Sequence, residues 1–535
     1  MFKSFVWVGA CASALSLVAA VKPIASLQVA SEETLSQAAG KLGEAIGQPM
    51  VGMMLAGQIA QSPIARVLGP TRAGSSVVVP LYVDVEKSLA QTNIALNEII
   101  DYAIVYPLAK SKDDLLNAFS DAVETNGYWH VTRPSEEMSI LKDGYFKFSD
   151  DGQWFVLSPK AQFLSKGLSA IPLAKKPMDG DAVRLRVSSD GFEWLSKNLD
   201  RAIADLKSGS KNRAASDSKI STEGPMGVCT TEIDVRQAEE LKFWCDGFKG
   251  ACLGLALDDR GLGLRWLGAM REDHAIQAYG KNKLAPQALA FAKDNTFFAS
   301  AEAAGANLSM YEKWQKMVAV AKKHGFDLSF LKEVKAENQL QLVIDVEAAQ
   351  NYFSGSMTNS LAKINPESFV KDLKESVAGA DSAKRFSGSL SLFAIGASNI
   401  KSSITAEQRF ANALPELAPK ELDSKSVVSL GLLIKALMPA YLATLDESMR
   451  TMVAPMMAQL PDAGNAGIAC GAWRENNNMF MQLRIPMAEF RSISCVVNLA
   501  MAQAMMRMQS SCEAFEIDED DEEENDDESD EGAID

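Results

Sequence analysis

The sequence predicts an α+β fold: antiparallel sheets built from β-hairpins and covered by amphipathic helices, with two related halves set against a single larger domain as the alternative division. Three observations predict it. Alternating apolar strands flank short polar turns at three places, Tyr145–Leu157, Ala251–Leu267 and Ile468–Ile485. Strands are followed by segments with apolar residues at helical spacing. A faint repeat also places Gly250, Gly254 and Met270 at the same offset of 217 residues from Gly467, Gly471 and Met487.

Met1-Phe2-Lys3 precedes an uncharged, mostly apolar run to Val21, closed by Lys22-Pro23. Basic, apolar and small residues in that order make a secretory signal over about 1–20. Cleavage after Ala20 fits, Ala25 is a second candidate, and an uncleaved anchor is the alternative. No second apolar run is long enough to span a bilayer, so the mature chain is expected to be no integral membrane protein.

Ser31 caps a helix that opens with Glu32-Glu33, because its hydroxyl can accept a free backbone N–H and the acidic residues suit the positive helix end. A second helix is expected from Met50 to Ala60. Val77–Val85 reads as a strand, with Pro80 marking an edge or a bulge. Ser111 opens a helix to about Val123. Val183, Leu185 and Val187 alternate with Arg184 and Arg186, and Phe192 to Leu206 follows at helical spacing. Lys207–Gly227 is rich in Ser, Gly, Lys and Asp and reads as a flexible insertion.

In the second half, Thr296–Ala301 is a strand and Ser309–Glu312 a capping box for a helix ending at Lys322–Gly325. Leu340–Val346, Leu390–Ile395 and Ile400–Ile404 are further strands. A strand near Val427–Leu433 precedes a helical region to about Gln459, and a closing helix spans about Met487–Met508. The expected organisation is a signal over 1–20, a first half over 21–280, a second over 281–511 and a tail over 512–535.

The chain carries 69 acidic and 53 basic residues, a formal charge of −16. Fifteen of the acidic residues lie in Glu513–Asp535, which has no basic residue, so the remainder is nearly neutral. That balance argues against nucleic-acid binding. The tail is expected to be disordered, since it cannot offset its ordering entropy and self-repulsion, and to bind divalent cations weakly at most.

No chemistry is fixed by a motif. His130, His274 and His324 are too far apart for a paired zinc motif. The six cysteines beyond the leader lack metal-ligand spacing, so disulfides or buried thiols are expected. No nucleophile elbow, phosphate loop or dinucleotide fingerprint occurs. Ser208-x-x-Lys211 and Ser216-x-x-Lys219 have a catalytic spacing but fall in the expected insertion. Asp150-Asp151 and Asp258-Asp259 read as turn residues. The Met-rich stretch from Met438 to Met508 reads as adaptable core, with an apolar groove or Cu(I) as lesser readings.

No catalytic, cofactor or metal residue is therefore assigned, and no cofactor is expected. The leading expectation is an exported, non-catalytic protein, periplasmic or secreted, that binds an apolar ligand or a protein partner. The alternatives are a hydrolase with a dispersed carboxylate site and a cation-responsive surface protein acting through its tail.

Overall fold

The computed structural model describes residues 23–494 apart from 62, 84–99, 120, 132–143, 217–224, 279–282, 304–307, 327, 329–330, 337–338, 348–364, 379–389, 444–446, 448–449 and 452–466. The signal, the acidic tail and eight of the twelve methionines of the Met-rich stretch lie outside the described residues.

The first half opens with β1 (Ala25–Val29), α1 (Glu32–Ala45) and α2 (Pro49–Ala60). Then come β2 (Val77–Val83), β3 (Ile100–Tyr102), β4 (Ile104–Pro107), β5 (Ala122–Thr125), β6 (Tyr128–Val131), β7 (Tyr145–Phe148) and β8 (Trp154–Ser158). The strand β9 (Val183–Val187) leads into a helical pair, α3 (Ser189–Ser216) and α4 (Pro225–Gly247), and then the hairpin β10 (Phe248–Asp258) and β11 (Gly261–Met270).

The second half has β12 (Thr296–Ala303), α5 (Leu308–Lys323), β13 (Leu331–Ala336), β14 (Gln339–Asp345) and β15 (Leu390–Gly396). It continues with α6 (Ala406–Ala413), β16 (Ser424–Val428), α7 (Leu430–Ala443) and the hairpin β17 (Ile468–Glu475) and β18 (Asn478–Pro486). The chain is helical again over 487–494.

All strands belong to one ladder, in the order β13-β14-β15-β12-β16-β17-β18-β11-β10-β9-β1-β2-(β3, β4)-β8-β7-β6-β5. Among the described residues only β14 and β15 run parallel. Among the described residues β5 and β13 each have one partner, so they are the ladder's ends. The fold is α+β with a large, mostly antiparallel sheet, as the hairpin signatures require.

The repeat read at an offset of 217 recurs in the pairings. Asp258↔Gly261 closes the first hairpin and Glu475↔Asn478 the second. The order β11-β10-β9-β1-β2 matches β18-β17-β16-β12-β15, with antiparallel pairing at every step. The halves meet where β11 pairs with β18, and Arg265 lies opposite Gln482, its own counterpart at that offset. Backbone bonds outside the strands repeat as well. Ser188 N donates to Ile24 O and Ser429 N to Phe297 O, both at 2.8 Å, where each half turns from strand into helix.

Several local expectations change. Regular helix reaches Ser216 and resumes at Pro225, so the segment read as a flexible insertion is helical at both its ends. Lys, Arg and Ala there are good helix formers, and Lys207 pairs with Glu239 of α4 at 2.8 Å. Pro80 is interior, between β1 and the β3–β4 line, and that line breaks at Ala103, whose N–H donates to Pro80 O at 3.3 Å. The helix from Ser111 stops at Ala118, and Val123 lies in β5. Ile400–Ile404 is not a strand; it leads to Thr405, which forms a capping box with Gln408 at the start of α6. β1 had no sequence signal of its own. It sits between β2 and β9, so Ala25, one of the two candidate cleavage residues, is part of the sheet.

Candidate binding face

Side chains alternate across a strand, so the registers sort the central sheet into transverse rows. One row on the first face runs Val79, Leu27, Leu185, Leu253, Trp266, Met481, Ala472, Ser424, Glu302, Ser391. The next runs Val77, Val29, Val183, Leu255, Leu264, Leu483, Cys470, Ser426, Ser300, Phe393. From β2 to β18 neither row contains a polar side chain. A third row, Leu81, Ala25, Val187, Ala251, Gly268 and Met479, is equally apolar.

These rows are incompletely covered. In the first two, only Leu483 and Ala472 are buried; all the other residues are half-buried. The opposite face is mixed in character, with buried core residues such as Val78, Ala299, Ala301, Val427 and Ala469 beside polar side chains. There the buried Gln28 donates to Ser76 at 2.8 Å, buried Arg184 pairs with Asp181 at 2.7 Å, buried Arg484 pairs with Asp258 at 2.7 Å, and Lys425, 2% exposed, pairs with Glu407. A sheet with one wet face normally turns its apolar side chains to the core and its polar ones to water. Here the face that carries these paired polar groups is the better covered one, apart from Arg265 and Leu267 of β11, which are exposed.

The roofs over the apolar face stand at opposite ends. In the first half, Phe192, Leu195 and Leu199 of α3 and Leu241 and Trp244 of α4 pack on Ala25, Val187, Ala251 and Met479. In the second, Leu432, Leu433 and Ala436 of α7 pack with Phe298 and Ile395. Each helical roof starts directly after its strand, β9 or β16, and the two strands run from opposite ends of the molecule's repeat. The first two rows therefore form a trough between the roofs. Strand spacing of about 4.8 Å makes its apolar part roughly 24 Å across from β2 to β18.

A further apolar surface lies beside it. α2 carries no charge, and Met50, Met53 and Met54 are 71, 70 and 62% exposed. α1 and α2 cross closely: a Cβ on Gly43 would meet Gly52 Cα at 2.6 Å. Lys41 of α1 pairs with Asp259 in the β10–β11 turn at 2.7 Å, which ties this helical hairpin to the edge of the trough.

A separate polar cavity of about 400 Å³ is lined by Glu193, Ser196 and Lys197 of α3, Cys245 and Asp246 of α4, and Arg271, Asp273 and His274 after β11. Ser196 Oγ donates to Asp246 Oδ1 at 2.5 Å, and Lys242 Nζ donates to Ser196 Oγ at 2.9 Å and to Asp246 Oδ2 at 2.7 Å. Burial works to raise the Asp246 carboxyl, but the bonds from Lys242 and Ser196 outweigh it and hold the group below the usual carboxylate range. Burial likewise works to lower Lys242, and its pairing with Asp246 holds it above the usual lysine value. Both shifts favour the charged forms. A lysine base for a serine nucleophile needs the opposite shift.

The residues weighed in the sequence do not converge. His130 stacks on Tyr145, His324 bonds Asp372 at 2.8 Å beside a helix end, and His274 borders the polar cavity with its ring 4.8 Å from Phe243. His274 is thus half-buried rather than on a solvated face. Asp151 accepts from Ser149 and Gln153 N, and Asp258 from Arg260 N, as turn residues do. Cys245, Cys252 and Cys470 are free thiols; the other cysteines lie outside the described side chains. Ser208 and Lys211 lie on α3, and Lys219 is outside the described residues. Among the described residues no group of three metal-ligating side chains occurs, and no helix is long and apolar enough to cross a membrane.

What sequence reading missed is the trough. Its strands other than β1 were recognised, but the neighbours that align Leu27, Leu185, Leu253 and Trp266 are far apart in the chain. No protein-family model, curated protein or solved structure matches this chain.

Proposed function

We propose that this is an exported, non-catalytic protein that holds an apolar ligand in the trough between its two helical roofs. The observation that carries the reading is the continuous apolar floor from Val79 to Met481, left half-covered while most of the face behind it is buried. Contiguous half-open apolar surface of this kind marks a binding site. Met479 and Met481 suit an adaptable floor, since unbranched thioethers repack around different shapes. Binding is favoured over catalysis because the Lys242–Asp246 pair beside Ser196 in the polar cavity is held in its charged form, the opposite of what a lysine base needs.

The same reading treats the halves as copies of one unit, of which the first keeps the apolar floor. Export rests on the leader, and the acidic tail serves as a solubilising extension.

The test is a fluorescence titration of the full chain with phenylnaphthylamine, an apolar dye that brightens out of water. Saturable binding is expected. Leu253→Gln, placed between Leu185 and Trp266, weakens it about tenfold, the equivalent of roughly 1.4 kcal/mol of lost apolar contact and added desolvation. No saturable binding, or unchanged affinity in a folded Leu253→Gln protein, defeats the proposal.

A further inference from the structure

The three most exposed large hydrophobic side chains among the described residues sit together on α2: Met50, Met53 and Met54. Leu55 adds to them, 36% exposed. Single exposed apolar residues are ordinary on a protein surface, but a contiguous group is not. At about 100° per residue the three methionines share one stripe, and Gly52 lies on the other side of the helix, packed against the backbone of α1. The stripe therefore points away from the body of the protein, since α1 rests on β10 and α2 rests on α1. Gln58 and Gln61, both exposed, continue the surface past the methionines without charge. No Asp, Glu, Lys, Arg or His occurs between Glu44 and Arg66.

We propose that α2 docks this protein on a lipid surface, with Met50, Met53 and Met54 in the acyl boundary and Gln58 and Gln61 at headgroup level. The surface is too small for a protein partner. Four side chains on one short helix fall well short of the roughly 800 Å² and 20–30 residues a side of a stable interface, so a second copy gains too little here. It also lacks anchors: α2 has no aromatic residue, no Arg and no charge to orient a protein, whereas hydrocarbon asks for none. Inserting it leaves no ion to desolvate. A helix lying in the interface sits about 5–10 Å deep, a depth its side chains can span. The attachment of α1 gives the docking a consequence. Lys41 pairs with Asp259 at 2.7 Å, and Glu32 accepts from Tyr106 Oη of β4 at 2.7 Å, so the helical hairpin is held to the sheet at two places. Docking thus brings the edge of the trough to the lipid, where an apolar ligand can enter without crossing water. That consequence rests on the apolar-ligand reading; the docking itself rests on α2.

The experiment floats the exported chain, freed of its leader, with phosphatidylcholine vesicles at about 0.1 and 1 M salt, where charges act over about 10 and 3 Å. Co-flotation is expected at both, because no ion pair contributes. Met53→Glu together with Met54→Glu lowers the partition coefficient about tenfold or more, since two apolar groups are lost and two charges must be desolvated. Met50→Glu, on the same stripe, acts in the same direction and serves if the double variant fails to fold. Met317→Glu, on α5 and 40% exposed, leaves flotation unchanged. The double variant keeps its phenylnaphthylamine binding, so the docking and the trough fail separately. Absence of flotation, flotation that survives both α2 variants, an equal loss in Met317→Glu, or flotation confined to anionic vesicles at low salt overturns the docking. Light scattering that shows a dimer for wild type and a monomer for the double variant assigns α2 to a second copy and overturns the lipid surface as its occupant.

Discussion

Glu489 gives a pH dependence whose sign and size follow from its surroundings. It lies in the helical stretch after β18, 1% exposed, where Oε2 accepts the N–H of Leu430 at the start of α7 at 3.1 Å. Its other oxygen is buried without a partner. Burial dominates, and the carboxyl is pushed up to about 7 despite that hydrogen bond and nearby Arg409. In the unfolded chain it ionises near its ordinary 4.5. Below pH 4.5 both states hold the proton and the full stability is present. As pH rises from 4.5 to 7 the unfolded state loses its proton first, so stability falls; above 7 the loss is complete. At about 1.4 kcal/mol per pH unit the group removes roughly 3 kcal/mol over this window, a large share of a typical folding free energy. Asp423, also raised by burial, acts with the same sign. Urea unfolding followed by tryptophan fluorescence from pH 4.5 to 7.5 measures the effect. Wild type should lose stability steadily, while Glu489→Gln, which keeps an acceptor for Leu430 but cannot ionise, should lose about 3 kcal/mol less. Identical slopes in the two proteins would refute the assignment.

Other outcomes can be checked independently. Lys242→Met removes the donor that outweighs burial at Asp246, so the Asp246 carboxyl should titrate higher by NMR; an unmoved titration contradicts the ion-pair geometry. Gly52→Ala drives a methyl into the backbone of α1, where Ala39 O lies 2.8 Å from the added Cβ, and should cost about 1–3 kcal/mol in urea unfolding. Gly254→Ala meets Asp181, which is already held by Arg184 and Arg265, and should destabilise by a similar ~1–3 kcal/mol; a neutral result would show that this buried carboxylate can move. Met53→Glu together with Met54→Glu, on exposed positions, should leave unfolding nearly unchanged but raise solubility.

How far the sequence was legible depends on the range of the interactions involved. The three hairpins were readable because each is closed by a local turn, such as Asp150-Asp151-Gly152, where Gly152 takes a positive φ of 67°. The repeat was readable as an offset, although only long-range pairing shows Arg265 opposite Gln482. β1 was missed because five residues next to an apolar leader carry no turn signal, and its place is set by β2 and β9. The composition of Lys207–Gly227 suggested a loop, but over Lys207–Ser216 helical pairing against α4 prevails over Ser and Gly propensity. Of the trough, period-2 alternation in Val183–Val187 showed one apolar strand face. Which face would be left half-open is decided by where the roofs of α3, α4 and α7 land, and those contacts are between residues distant in sequence.

Trp266 offers the most direct test, because it lies in the floor itself, between Leu253 and Met481. A brominated alkyl amphiphile quenches indole fluorescence only at contact. Titrated into the full chain, it should quench part of the emission saturably, and Trp266→Phe should abolish that part while fully buried Trp154 continues to emit. Quenching that is absent, unsaturable, or unchanged by Trp266→Phe would contradict an apolar ligand seated on this sheet.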